Sequence, residues 1–74
     1  MAIDIEVFGQ LLSGKPRRQT VEIRKPETAR SLAQTIGLNP DEIGLVTING
    51  VQSNLDDAVS PESRLCFFPY ITGG

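Results

Sequence analysis

One stretch of this chain, residues 28–36, spaces its apolar residues as an amphipathic helix does. The residues at i, i+3, i+4 and i+7, which share one helical face, are Ala29, Leu32, Ala33 and Ile36. Thr28 is a suitable N-cap, because its hydroxyl can accept a hydrogen bond from a free amide of the first turn. Gly37 supplies the left-handed residue that commonly follows a last turn. A single helix of this kind has one apolar stripe, and it needs one sheet face to cover that stripe.

The segments before the helix alternate apolar and polar residues with a period of two, as strands with one buried face do. This alternation runs over residues 3–7 and again over residues 20–24. Between these segments, Gly14 and Pro16 interrupt regular structure, and Pro26 stops the second strand. Two adjacent strands joined by a loop of this length most simply form an antiparallel hairpin.

Three further strands are predicted after the helix. Leu45–Ile48 is rich in β-branched residues, which suit a buried strand. Asn49-Gly50 favours a tight type I′ reversal into a short return strand at Val51 and Gln52. The last strand covers 65–68, and Pro69 ends it because proline has no amide hydrogen to donate.

The order strand, strand, helix, strand, short strand, strand predicts a two-layer α+β domain. The simplest packing places the first and last strands side by side and parallel in the middle, which is the β-grasp arrangement. We therefore predict a mixed sheet of four to five strands with one main helix on one face. The domain is expected to cover residues 1–69, and residues 70–74 are expected to form a flexible tail that ends in Gly-Gly.

Composition and charge argue against several classes of function. A net charge of −2 and a pI near 4.9 disfavour nucleic acid as a partner, because phosphate binding needs clustered positive charge. The one local basic group, Lys15, Arg17 and Arg18, is interpreted as a solvated turn or as a docking patch for an acidic partner. With no histidine and one cysteine, metal centres and histidine-dependent catalysis are not expected. No apolar run approaches a membrane span or a signal peptide, so we expect a cytosolic protein.

The chain ends in Thr72-Gly73-Gly74. Because glycine has no Cβ, Gly73 and Gly74 can thread through a narrow channel and allow a partner to approach the terminal carboxylate. A free carboxylate on such a tail is suited to activation by another enzyme's ATP. The alternative is an ordinary frayed terminus without function.

The segment from Leu65 to Gly74, with its Phe67-Phe68-Pro69 run, resembles the closing segment of the molybdopterin-synthase small-subunit (MoaD) family. In addition, Ile48-Asn49-Gly50 is similar to that family's Val-Asn-Gly turn, and Ile5–Gly9 is similar to its first strand. The resemblance covers essentially the whole chain. The thiamine-pathway relative ThiS shares the ubiquitin-like fold and the Gly-Gly end but usually lacks Phe-Phe-Pro.

This resemblance implies a sulfur carrier that is not itself an enzyme and binds no cofactor or metal. An adenylyltransferase similar to ubiquitin-activating enzymes would use ATP to adenylate the Gly74 carboxylate, and a sulfur donor would then convert it to a thiocarboxylate. The sulfur would go to molybdopterin through the molybdopterin-synthase large subunit, or to thiamine through thiazole synthase. Two other hypotheses remain: a ubiquitin-like modifier conjugated to lysines through Gly74, and a plain interaction domain with an incidental tail.

Alternation along the last strand predicts which side chains meet a partner. If Leu65 and Phe67 point into the core, Cys66 and Phe68 point to the open face of the sheet. An exposed Phe68 beside the tail would be a docking anchor, since aromatic residues are enriched at interface hot spots. The predicted partner-binding segment is Phe68, Pro69, Tyr70, Ile71 and Thr72, followed by the reacting Gly73-Gly74.

Overall fold

The alternating segments form strands and the periodic segment forms a helix, in the order that the sequence predicts. The computed structural model describes residues 1–9, 11 and 17–70. The elements are β1 (Ala2–Val7), β2 (Arg18–Glu22), β3 (Glu27–Thr28), α1 (Ala29–Thr35), a 3₁₀ turn (Pro40–Glu42), β4 (Ile43–Ile48), β5 (Val51–Ser53), β6 (Ala58–Val59) and β7 (Arg64–Pro69).

Five of these strands form a mixed sheet in the order β2-β1-β7-β4-β5. The central pair, β1 and β7, is parallel, whereas β1–β2, β4–β7 and β4–β5 are antiparallel. The first and last strands therefore lie side by side in the middle, and the predicted β-grasp arrangement is confirmed.

The core lies between α1 and one face of the sheet. Leu32 and Ala33 of the helix, together with Ile5 of β1 and Phe67 of β7, are at most 1% exposed. Among the described residues, the buried apolar side chains are Ile3, Ile5, Val7, Ile23, Ala29, Leu32, Ala33, Ile36, Leu38, Ile43, Val46, Val59, Leu65 and Phe67. All four residues of the predicted helical face belong to this core, so the predicted face is confirmed.

Both predicted helix caps are present. The Thr28 hydroxyl accepts a hydrogen bond from the Ser31 amide at 3.1 Å. After the last turn, Gly37 has a φ of 90°, and the Leu38 amide donates to the Ala33 carbonyl at 2.8 Å. The helix is one residue shorter at each end than predicted, because Thr28 is extended and Ile36 serves as the C-cap.

The reversal at Asn49-Gly50 joins β4 to β5 and also braces the start of β7. Both residues have positive φ, 52° and 82°, as a type I′ turn requires. The Asn49 side chain accepts a hydrogen bond from the Arg64 amide at 2.9 Å and donates to the Ser63 hydroxyl at 3.3 Å. The predicted turn is therefore also a long-range contact between the hairpin and the last strand.

Several strand bounds differ from the sequence-based prediction. β4 begins at Ile43 and not at Leu45, and β7 covers Arg64–Pro69 and not 65–68. The second strand covers Arg18–Glu22 and not 20–24, because its pairing with β1 runs from Arg18 opposite Glu6 to Glu22 opposite Ala2. Two short strands were also missed: β3 and β6 pair with each other through Glu27–Val59 and Thr28–Ala58. Two residues are too few to carry a period-two pattern, so this pairing has no local signal.

Candidate functional site

The last strand separates core residues from open-face residues, as its alternation predicts. Leu65 and Phe67 are fully buried in the core, whereas Cys66 and Phe68 are half-buried on the face away from α1. The pairing of β7 with β4 sets Phe67 opposite the buried Val46 and Phe68 opposite Leu45. The predicted register of this strand is confirmed.

An aromatic stack stands on the open face where β7 ends. The rings of Phe8 and Phe68 lie 4.6 Å apart between centroids and are inclined by only 4°. The Phe8 amide donates to the Phe67 carbonyl at 2.9 Å, which extends the parallel β1–β7 pairing by one residue and brings the two rings together. Phe8 was not among the predicted site residues. The signal was present, because parallel pairing of the first and last strands sets the residue after Val7 beside Phe68.

An apolar groove continues from this stack towards the end of the chain. It has a volume of about 370 Å³ and is lined by Gly44, Leu45, Phe68, Pro69 and Tyr70. Tyr70 is 62% exposed, which makes it one of the most exposed large apolar side chains in the part of the chain that the structure describes. The end of β7 therefore combines a half-buried aromatic stack with an exposed aromatic ring.

The other half of the open face is charged. Glu6 forms a hydrogen-bonded ion pair with Arg64 and lies 3.9 Å from Arg18. The hydrogen bond that Arg64 donates to Glu6 raises the pKa of Arg64 above its ordinary value, and Cys66 adds to this effect. Cys66 lies between Glu6 and Thr47 in the sheet register. The open face is thus divided into a charged half and an apolar half, and the apolar half adjoins the tail.

The structure brings three of the predicted site residues together, and the remaining four lie outside the described residues. Phe68, Pro69 and Tyr70 line one groove. The other predicted residues are Ile71, Thr72, Gly73 and Gly74. Of the predicted basic group, Arg17 and Arg18 are exposed, and Lys15 also lies outside the described residues.

Residues 1–9, 11 and 17–70 contain no group of three or more acidic, cysteine or histidine side chains placed to hold a metal ion. Over the same residues, no helix has both the length and the apolar character needed to cross a membrane.

Comparison with solved structures found the same fold in small proteins of similar length. SAMP1 from Haloferax volcanii matches with a TM-score of 0.72 and 22% identity over 100% of both chains. Urm1 from Trypanosoma brucei matches with a TM-score of 0.69 and 18% identity, over 99% of this chain and 95% of that one. A chain in the complex of subunits 1 and 2 of the molybdopterin-converting factor from Helicobacter pylori 26695 matches with a TM-score of 0.63 and 16% identity over 100% of both chains.

At these identities the likeness establishes the fold alone. The resemblance predicted from the sequence is confirmed at that level, because the neighbours include the molybdopterin-converting factor together with SAMP1 and Urm1. No protein-family model and no curated protein matches the sequence.

Proposed function

We propose that this chain is a sulfur carrier whose working group is the carboxylate of Gly74 at the end of the mature chain. The observation that carries the proposal is the position of the apolar groove at the end of β7, directly before the Gly-Gly tail. The fold shared with SAMP1, Urm1 and the molybdopterin-converting factor supports it. As a carrier in the cytosol, the chain brings the reacting atom, and its partners supply the active sites.

Chain length links the groove to the carboxylate. Four residues follow Tyr70, and a fully extended chain spans at most about 3.6 Å per residue, so Gly74 lies within about 14 Å of Tyr70. A partner that reacts with Gly74 must therefore bring its active site within that distance of the groove.

The chemistry follows from the weakness of a carboxylate as an acyl donor. An oxygen of the Gly74 carboxylate attacks the α-phosphorus of ATP in the partner's site, a P–O bond forms, and pyrophosphate leaves. A sulfur donor at the oxidation level of sulfide then attacks the acyl carbon, a C–S bond forms, and AMP leaves. The product is a thiocarboxylate, a strong nucleophile that can transfer its sulfur to an acceptor. The chain contains no histidine and one cysteine, so these steps depend on groups that the partners provide.

The acceptor that the sequence resemblance favours is molybdopterin. In that reading the chain acts as the small subunit beside a molybdopterin-synthase large subunit, and Phe68, Pro69 and Tyr70 contact that subunit. The name of the Helicobacter pylori neighbour, a complex of subunits 1 and 2, supports this arrangement for our chain. A thiazole synthase in place of the large subunit would direct the same thiocarboxylate to thiamine.

The name of another neighbour favours a second function. One Haloferax volcanii structure is described as small archaeal modifier protein 1. A modifier would use the same adenylation of Gly74 but would then form an isopeptide bond with a lysine of a target protein. The two functions share the activation step and differ in the group that attacks the acyl carbon.

Mass spectrometry of the protein purified from its native cell tests both functions. For a carrier, we expect an intact mass that ends at Gly74 and a second species heavier by the difference between sulfur and oxygen. For a modifier, we expect Gly-Gly remnants on lysines of other proteins. A chain with neither mark in cells that require the pathway would contradict both functions.

Deletion of Gly74 is the matched control. We expect it to abolish the heavier species while the melting temperature stays nearly unchanged, because the buried core lies within residues 3–67. A Gly74-deleted chain that still accepts sulfur would refute the carrier proposal.

A further inference from the structure

The backbone of Tyr70 lies closely over a glycine of the neighbouring strand. The register of β4 against β7 shifts between Ile43 and Leu45, so Gly44 is the extra residue of a β-bulge. A Cβ on Gly44 would lie 2.6 Å from the Tyr70 Cα and 2.8 Å from both the Tyr70 nitrogen and the Pro69 oxygen. These are backbone atoms, which cannot rotate away. Only glycine at position 44 allows the chain to leave β7 along its observed path.

A second glycine approaches the same point from the other side of β7. Gly9 follows β1 with a φ of +67°, and a Cβ there would lie 2.7 Å from Cγ and 3.1 Å from Cδ of Pro69. The proline ring is closed onto its own backbone, so it has no rotamer that would clear this contact. Pro69 and Tyr70 are thus held between a glycine after β1 and a glycine in β4.

We propose that Gly9 and Gly44 are positioning residues, forming a clamp that sets the direction in which the C-terminal segment leaves the sheet. The inference rests on the proposed function, because its purpose is to aim the Gly74 carboxylate at a partner's active site. The groove fixes where the partner binds, and the clamp fixes the position and direction of the backbone at Pro69 and Tyr70.

The exit direction of the backbone at Tyr70 matters because only a short segment joins Tyr70 to Gly74 and because the reaction requires precise placement of the reacting atoms. The position and direction of the backbone at Tyr70 set the region of space that the next four residues can reach, so a shift at Tyr70 displaces that region relative to the groove. A misplacement of about 1 Å in reacting atoms can cost on the order of a hundredfold in rate. Gly9 does not line the groove, so a changed exit direction in Gly9→Ala should leave docking intact and slow the chemical step. Gly44 does line the groove, so Gly44→Ala changes the docking surface as well as the exit direction.

The chain offers a matched control in Gly50. Gly9 and Gly50 have similar positive φ values, +67° and +82°, but a Cβ on Gly50 would have nothing within 4 Å. Gly9→Ala and Gly50→Ala therefore introduce a similar backbone strain, and only Gly9→Ala adds a contact with Pro69. A difference between these two variants reports on the clamp and not on general destabilisation.

The first measurement needs no partner. Backbone residual dipolar couplings of the isolated chain report the orientation of the Tyr70 N–H bond relative to the sheet. We expect Gly9→Ala and Gly44→Ala to reorient this bond, while Gly50→Ala leaves it as in the wild type. An unchanged Tyr70 orientation in both clamp variants would overturn the inference.

The second measurement is ATP–pyrophosphate exchange catalysed by the adenylyltransferase encoded in the same genome, with this chain as substrate. For Gly9→Ala and Gly44→Ala we expect kcat to fall at least about tenfold. For Gly9→Ala, which lies outside the groove, we expect KM to change less than about twofold, and Gly50→Ala should behave as the wild type. Exchange at the wild-type kcat in both clamp variants would refute the positioning role.

A double variant separates the clamp from simple misfolding. Pro69→Ala removes Cγ and Cδ, the ring atoms that Gly9→Ala would meet, so the loss in kcat caused by Gly9→Ala should be smaller in the Pro69→Ala background. Equal losses in both backgrounds would contradict the contact. If the wild-type chain supports no exchange at all, the proposed function fails, whereas the dipolar couplings still decide whether the clamp exists.

Discussion

Phe67 and Phe68 are adjacent in sequence but lie on opposite faces of the sheet, and a pair of alanine substitutions can separate their proposed roles. Phe67 is fully buried in the core, and Phe68 is half-buried in a stack on the open face. Truncation of a buried phenylalanine to alanine costs about 3 to 5 kcal/mol of unfolding free energy. A domain of this size has a stability near the lower end of about 5 to 15 kcal/mol. We therefore expect Phe67→Ala to have little or no remaining stability at 37 °C, so that a large fraction of the molecules is unfolded.

Phe68→Ala should lose less unfolding free energy than Phe67→Ala. It removes an aromatic pair worth about 0.5 to 1.5 kcal/mol beyond area burial, plus the contribution of a side chain that is only partly shielded from water. We expect a total of about 1 to 2 kcal/mol, clearly below the cost at Phe67, with the fold retained. Phe68→Leu is the control, because it keeps most of the apolar area and removes only the stack.

Urea unfolding followed by far-ultraviolet circular dichroism measures both costs, since the chain contains no tryptophan to report by fluorescence. Calorimetric titration with the adenylyltransferase or the synthase large subunit measures docking. We expect Phe68→Ala to weaken binding by more than about 1 kcal/mol, as a hot spot does. A reversed result, in which Phe68→Ala unfolds the domain and Phe67→Ala impairs only binding, would refute the register of β7 and the docking face assigned from it.

Two further predictions concern the helix. Leu32→Ala should cost about 2 to 5 kcal/mol of unfolding free energy, because Leu32 is fully buried; a loss below about 1 kcal/mol in urea unfolding would contradict the core. Arg30 donates to Asp56 at 3.0 Å and lowers the pKa of that exposed carboxyl below its ordinary 3.8. Because the folded pKa is depressed, the stabilisation is complete above pH 3.8 and is lost as the pH falls through the lower folded value. In thermal melts at pH 7, the melting temperature of the wild type should be slightly higher than that of Asp56→Asn, and this difference should disappear at strongly acidic pH. A difference that persists there would contradict the ion pair.

The main elements of the fold could be predicted from the sequence because each has a strong local signal. The helical face from Ala29 to Ile36, the Thr28 cap and the Asn49-Gly50 reversal all depend on residues close together in the chain. The parallel placement of β1 beside β7 followed from the order of elements. These are features in which local preference and tertiary packing agree.

The features that were missed depend on long-range register. The β3–β6 pairing joins residues near 28 to residues near 58, and it involves only two residues on each side. The bulge at Gly44 is visible only when β4 is laid against β7. The Phe8–Phe68 stack likewise requires the exact offset of β1 and β7. The part of the site that could be predicted is therefore the part contributed by a single strand.

The two faces of β7 separate the core from the groove, so the proposed reaction at Gly74 would not require the core to open. The buried core uses one face of the sheet and ends at Phe67, whereas the stack and groove use the other face and continue to Tyr70. A partner that binds the tail would therefore contact residues of the groove, which contribute little to the unfolding free energy. The same alternation makes the proposed site sensitive to the register of β7. A shift of one residue would place Phe68 in the core and Phe67 on the proposed docking face. The core and the proposed docking face are thus separated by a single peptide unit, and the pairing of Phe67 with Val46 and of Phe68 with Leu45 fixes this register.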